Sequence, residues 1–188
     1  AGTGPTHDPP LRPRDEAIFL LTAAAEVEHA LMVQYLFAAY SVRTDLNVNG
    51  LAEIQRDLLQ IAREEMGHLA TVQNLLQVLG GPLNFRREQS PYASEIYPFR
   101  FKLQPLTLNS LSKYVIAESP DGRPADLSDA DWELISTTIE SQARTDNDGR
   151  PIQHVGPIFA RLIELFEDAD DGIADDDCET KTAGYHAR

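Results

Sequence analysis

The stretch Arg63 to His68, "REEMGH", sets an acid and an imidazole three residues apart, at Glu65 and His68, inside a long run that otherwise reads as helix. Helical faces recur at spacings of three, four and seven. From this pair those spacings reach Ile54, Leu58, Ile61, Val72, Leu75 and Leu79, all aliphatic, so Glu65 and His68 are expected to point into a core. Glu64 shares its side with Asp57, Gln60 and Thr71 and is expected to face solvent. In an earlier run Glu28 has Leu21, Ala24, Ala25, Leu31, Met32, Tyr35 and Ala39 as neighbours, which makes it interior too. Glu26, beside Thr22 and Gln34, is a weaker candidate.

A buried carboxylate without a partner is costly. Two arrangements relieve a pair of carboxylates and an imidazole converging inside a helix pair. One is a hydrogen-bonded network tied to Tyr35 and an arginine. The other is a divalent cation, for which Glu and neutral His are good ligands. An interior Glu facing Glu-x-x-His on an antiparallel neighbour favours the cation.

The elements that must position these residues are helices. After Pro13, which suits a helix start, residues 15–41 contain no Pro or Gly. A second helix is expected over 51–79, stopped by Gly80-Gly81-Pro82. Joined by a short loop, the two should form an antiparallel hairpin. Residues 82–106, with prolines at 82, 91, 98 and 105, form a crossover long enough to reach the other end of a bundle. A short third helix should end at Pro120, a fourth is expected over 129–143 behind Ser128, and a fifth within 154–168. Residues 1–13 are a flexible lead-in, 14–168 the helical domain, and 169–188 an acidic, disordered tail.

The chain of 188 residues fits one domain, and its net charge of −14 argues against nucleic acid and anionic membranes as partners. Eight acids against two bases between residues 167 and 188 carry much of that charge. Their spacing does not fit a calcium-binding EF-hand loop. Cys178 is the only cysteine, which excludes an internal disulfide. The apolar run from Ala17 to Ala25 is too short to span a membrane, and no signal-peptide pattern precedes it, so a cytoplasmic location is expected. His7 and His186, in the expected flexible ends, carry no signal.

"AAEVEHALMVQYLFAAYS" followed by "IAREEMGHLATVQNLLQVLGG" resembles the first half of ferritin-like di-iron carboxylate proteins, including a Tyr seven residues after the first-helix Glu. With "YPFRFKLQPLTLNSLSKYVIAESP", the segments resemble more closely the ferritin-like domain of iminophenyl-pyruvate dimer synthase type proteins. The likeness covers roughly residues 18–120. It implies an all-α, ferritin-like four-helix bundle, here with a long Pro-rich crossover and an extra short helix. It also implies a Glu on each of two helices and Glu-x-x-His on each of the other two. The first half supplies Glu28, Glu65 and His68. In the second, Glu118 matches the single Glu, on a face with Leu111, Tyr114 and Val115. A second Glu-x-x-His is absent, and Glu140 and His154 are the candidates for the two missing ligands. Ile158, Leu162 and Leu165 share the side of His154, whereas Glu133 and Ser136 beside Glu140 fit a surface residue almost equally well.

His29 is expected to be packed or to support a ligand rather than to bind metal. Tyr35 and Tyr114 could donate hydrogen bonds to ligands, and core packing explains them too. Glu65 and Tyr35 are the candidate catalytic residues. The resemblance implies two iron ions per chain, with manganese or a mixed pair as alternatives. It further implies dioxygen or peroxide activation and oxidation of a small organic, amino acid-derived metabolite in a biosynthetic pathway. A homodimer or a partner biosynthetic enzyme fits that setting. Two other readings stand beside the oxidase or oxygenase: an iron-binding ferroxidase or storage protein, and a non-catalytic interaction module that kept the bundle.

Overall fold

The computed structural model describes residues 8–46, 48–87, 97–119, 122–123, 125–167 and 172–173. Its regular elements are all helical. α1 spans Pro13–Ser41 and α2 Leu51–Val78. α3 follows at Leu108–Glu118, α4 at Asp129–Glu133, α5 at Glu140–Asp146 and α6 at Gly156–Glu167. Between α4 and α5 the backbone widens into a π-helical stretch, Leu134–Ile139.

α1 is apolar on most sides and is buried accordingly, from Ala17 through Leu21, Leu31 and Tyr35 to Ala39. α2 is amphipathic and buries one stripe, including Leu58, Ala62, Glu65, Leu69, Val72 and Leu76. The two lie antiparallel, because opposite ends meet. Near one end Gln55 Nε2 donates to the Ala39 carbonyl at 3.1 Å. At the other, Arg14 Nε and Nη2 donate to the Leu79 carbonyl at 2.9 and 2.7 Å. There α2 stops in a Schellman turn: Gly80 N bonds to Gln77 O and Gly81 N to Leu76 O, with Gly80 at φ +77°. A Cβ on Gly81 would meet Leu76 Cδ2 at 3.1 Å and Ile18 Cγ2 at 3.2 Å, so the turn is pressed onto the hairpin.

From Asn84 the crossover is bonded along α1. Asn84 Nδ2 donates to the Thr22 carbonyl, the Lys102 amide to Gln34 Oε1, and the Leu106 amide to Ser41 Oγ. This brings the chain to the α1 C-terminus, where Thr107 and Ser110 form a reciprocal cap for α3. α3 packs on α1 through large side chains, with the Tyr35 and Tyr114 rings 4.6 Å apart. It also packs against α5, to which the buried Lys113 ammonium is tied by Asp146 at 2.7 Å.

The core has two parts. One joins Val27, Leu31, Tyr35, Leu58 and Ala62 to Tyr114 and Ala117 of α3 and Ala143 of α5. The other joins Leu20, Leu21, Leu69, Val72 and Leu76 to Ile158, Leu162 and Leu165 of α6. α3 and α6 therefore cover the hairpin in two successive segments. They are linked at their junction by the Val155 amide bonding the Ala117 carbonyl at 3.2 Å.

The helix expected over 129–143 differs from the observed one. Ser128 caps it as expected, with the Asp131 amide on its hydroxyl at 3.2 Å. Ser136 Oγ and Thr137 Oγ1 then donate to the Trp132 and Glu133 carbonyls, competing for the acceptors of the backbone ladder, and the turn widens. The helical rod continues to Asp146. Cys178, His7 and His186 lie outside the described residues, as do all but Gly172 and Ile173 of the expected acidic tail. No helix among the described residues is long and apolar enough to cross a membrane.

Candidate metal centre

Glu28 and Glu65 meet at the seam between the two core clusters, on facing sides of the hairpin. They are 2% and 4% exposed. Long helices place them there: Glu28 sits between Ala25 and Leu31 on the buried side of α1, and Glu65 between Ala62 and Leu69 on that of α2. His68 completes the group, its Nδ1 3.4 Å from Glu28 Oε2 and 3.6 Å from Glu65 Oε2. One ligand atom from each of the three lies within 4.8 Å of the other two.

His68 differs from its expected core position: its side chain is 59% exposed. It stands at the edge of the α2 stripe, level with the half-buried Ile61 and Leu75, so its ring closes the carboxylate pair from the solvent side. Glu64 is exposed, as expected. Glu26 belongs to another network, accepting from Asn84 Nδ2 at 3.0 Å and from the Tyr97 hydroxyl. His29 also turns away from the centre, its Nδ1 donating to the Phe85 carbonyl at 3.1 Å.

Glu28, Glu65 and His68 form a group that could hold a cation. Burial, then the hydrogen bond and charge of Glu65, then the charge of Glu118, push the Glu28 carboxyl up to about 10. Glu28 Oε2 is buried and makes no hydrogen bond, although it lies in ion-pair range of His68. An orphaned carboxylate oxygen beside a second buried carboxylate and an imidazole fits a divalent metal, whose charge would offset both acids.

The later part of the chain contributes unequally. Glu118 reaches the centre's edge, where its Oε1 accepts from the Tyr35 hydroxyl at 2.9 Å. Its carboxyl is raised, first by burial and then by the charge of Glu65, while Tyr35 and the His68 charge pull the other way. The Tyr35 hydroxyl is raised well above the ordinary phenol range by burial and then by Glu118, so it remains a donor. His154 stands one residue before the α3–α6 link, its Nδ1 2.8 Å from the Ser119 carbonyl. A carbonyl can only accept, so Nδ1 carries a proton there. Nothing in residue type marks Ser119 as the anchor, since the contact is made by its backbone.

Glu140 is not brought to the cluster. It pairs with Arg144 one turn along α5, at 2.7 Å, and makes no hydrogen bond or ion pair with the centre among the described residues. The π-helical stretch shifts the phase of everything after it, so spacing from Glu133 and Ser136 no longer locates this side chain. Tyr114 lies against Tyr35, and its buried hydroxyl makes no hydrogen bond.

Over residues 21–185 the chain matches the family described as ferritin-like. It is similar to dichlorochromopyrrolate synthase from Lentzea aerocolonigenes, with 26% identity over 138 residues. The match takes in 60% of this chain and 14% of that protein, so the chain corresponds to a small part of its relative's length. No solved structure matches the chain.

Proposed function

The chain belongs to the ferritin-like family, and from that premise we propose that it is a non-haem di-iron oxidase or oxygenase. Its substrate would be a small organic, amino acid-derived metabolite in a biosynthetic pathway. The observation that carries the metal is the buried oxygen of Glu28, without a hydrogen bond, between Glu65 and His68. The relative's printed name, a synthase, supports a biosynthetic setting.

Glu28, Glu65 and His68 would hold the first ion. Glu118 would contribute to a second, with His154 as a further candidate ligand and manganese as an alternative metal. When bound, iron would supply the electrons that dioxygen activation requires. The chain's own residues do the rest. Burial of Glu28 and Glu65 excludes bulk water from the carboxylates, and these acids give up any proton they hold as they bind a cation. Tyr35 keeps its hydroxyl proton and fixes one oxygen of Glu118. His68, 59% exposed, borders these carboxylates on the solvent side.

A storage protein of ferritin type is the weaker reading, because helices of 11 and 12 residues face a hairpin of 29 and 28 and do not form four equal walls. The experiment is iron content per chain, with ultraviolet-visible spectra after anaerobic ferrous loading and admission of oxygen. Two irons and an oxygen-dependent band, both lost in Glu65→Ala, are expected. Iron in the hundreds per assembly would establish storage instead. A folded chain that binds no iron would leave an interaction module.

A further inference from the structure

Asn-Gly occurs once in the chain, at Asn49-Gly50, in the turn that leads into α2. The pair sets a side-chain amide, with its electrophilic carbon, beside a backbone nitrogen that no Cβ shields. The fold decides whether these two groups are free to meet.

At this turn they are free. Both residues are exposed. Among the described residues, neither the Asn49 amide nor the Gly50 N–H makes a hydrogen bond. Gly50 takes φ +88°, and a Cβ built on it would meet nothing within 4 Å, so the space around the nitrogen is open. α2 also starts without a side-chain cap, so no bond from Asn49 to its first turn holds the amide in place.

Other asparagines are held. Asn84 Nδ2 donates to the Thr22 carbonyl at 3.1 Å and to Glu26 at 3.0 Å. Asn147, 6% exposed, donates to the Pro151 carbonyl and accepts from the Arg100 amide, both at 3.2 Å. Asn74 lies inside α2, and the nitrogen after Asn109 is bonded to Thr107 Oγ1 at 3.1 Å. A comparable turn, Asp148-Gly149, is closed. Gly149 N bonds the Arg144 carbonyl at 2.8 Å, and Arg100 holds the Asp148 carboxylate at 2.9 Å.

We propose that Asn49 is a site of spontaneous covalent modification, deamidation through a cyclic imide to aspartate and isoaspartate. The Gly50 nitrogen gives its proton to solvent base and bonds to Asn49 Cγ. The Cγ–Nδ2 bond breaks, and the amine takes a proton from solvent and leaves as ammonia. Water then opens the ring. Breaking the new Cγ–N bond leaves aspartate. Breaking the original peptide C–N bond leaves isoaspartate, with the main chain routed through Cβ and Cγ. One water is consumed and one ammonia released, and nothing is oxidised or reduced. The product adds one negative charge to a chain of net charge −14, beside the N-terminus of α2, where the helix dipole favours an acid. The reaction needs no metal and stands apart from the oxidase reading.

The test is incubation of the folded full chain in heavy-oxygen water at neutral and alkaline pH, followed by peptide mapping in a mass spectrometer. Asn49 should take up one heavy oxygen, faster at the higher pH, while Asn84 and Asn147 remain amides. Its rate should lie within about tenfold of that in a synthetic peptide of residues 48–54, and greater protection would overturn the proposal. Gly50→Ala should slow the conversion about tenfold, because a methyl group crowds the attacking nitrogen. An isoaspartyl methyltransferase should label the aged wild type and leave Asn49→Gln unlabelled at this position, since glutamine would have to close a larger ring. Conversion of Asn84 or Asn147 ahead of Asn49, or an aged wild type with no heavy oxygen at Asn49, would equally overturn it.

Discussion

Glu28, Glu65 and His68 stand on two helices of 29 and 28 residues, whereas Glu118, Glu140 and His154 stand on or beside helices of 11, 7 and 12 residues. The first three converge because long helices pack along their whole length, and periodicity alone then fixes which side chains face each other. The second three depend on individual tertiary contacts: the Tyr35 hydroxyl on Glu118, the Ser119 carbonyl on His154, and Arg144 on Glu140. The first sets Glu118 at the centre's edge, and the last ties Glu140 along α5. The hairpin brings Glu28, Glu65 and His68 together, and the later candidates are only as well placed as their anchors.

That contrast predicts a graded set of outcomes. The largest is the loss of metal. Glu65→Ala should abolish saturable binding of both ferrous equivalents in a calorimetric titration, whereas His154→Ala should remove only the second. Equal loss from both variants would erase the distinction between the halves.

Next comes the anchor of α3. The Lys113 side chain is 1% exposed and bonded to Asp146, so Lys113→Met leaves a carboxylate without its buried counterion. Asp146 is partly exposed and keeps its bond from Gln104, so the loss should fall below the roughly 3–5 kcal/mol of a fully buried pair, to be read from urea unfolding. Arg161→Ala, at a half-exposed pair with Glu16, should cost less than about 1 kcal/mol. The same Lys113 variant, where folded, should weaken the second metal equivalent more than the first.

A smaller effect is pH-dependent. Folded Glu28 holds its proton up to about 10, against 4.5 for the free side chain. Its contribution to metal-free stability is therefore fully present below about pH 4.5 and is lost as pH rises toward 10. Glu28→Gln, which mimics the protonated form, should match wild type near pH 4 and melt higher at pH 9. A constant difference across that range would show that Glu28 does not titrate as described.

The mildest variant is Tyr35→Phe, which removes one hydroxyl and leaves the ring against Tyr114. Loss of a supporting hydrogen bond to a ligand should lower the second equivalent's affinity about tenfold and leave the first nearly unchanged.

Spacing along the chain was enough to locate the hairpin, its Gly80-Gly81 stop, the burial of Glu28 and Glu65, and the outward face of Glu64. All of these follow from local propensity and a 3.6-residue period carried over many turns. His68 was placed in the core by the same rule and lies at its edge, because a period assigns a face and not a depth. Spacing left Glu140 between a ligand and a surface position, because Leu134–Ile139 widen the helix before it and change the phase.

The amino-acid sequence by itself therefore determined the all-helical class, the long antiparallel pair and the two buried acids inside it. Only the tertiary structure decided that α3 and α6 share the hairpin's length between them, that Glu118 reaches Tyr35, and that His154 hangs on a backbone carbonyl. Those contacts join residues far apart in the chain through groups that any residue type can present. No local pattern encodes them, and they exist only once the two core clusters have closed.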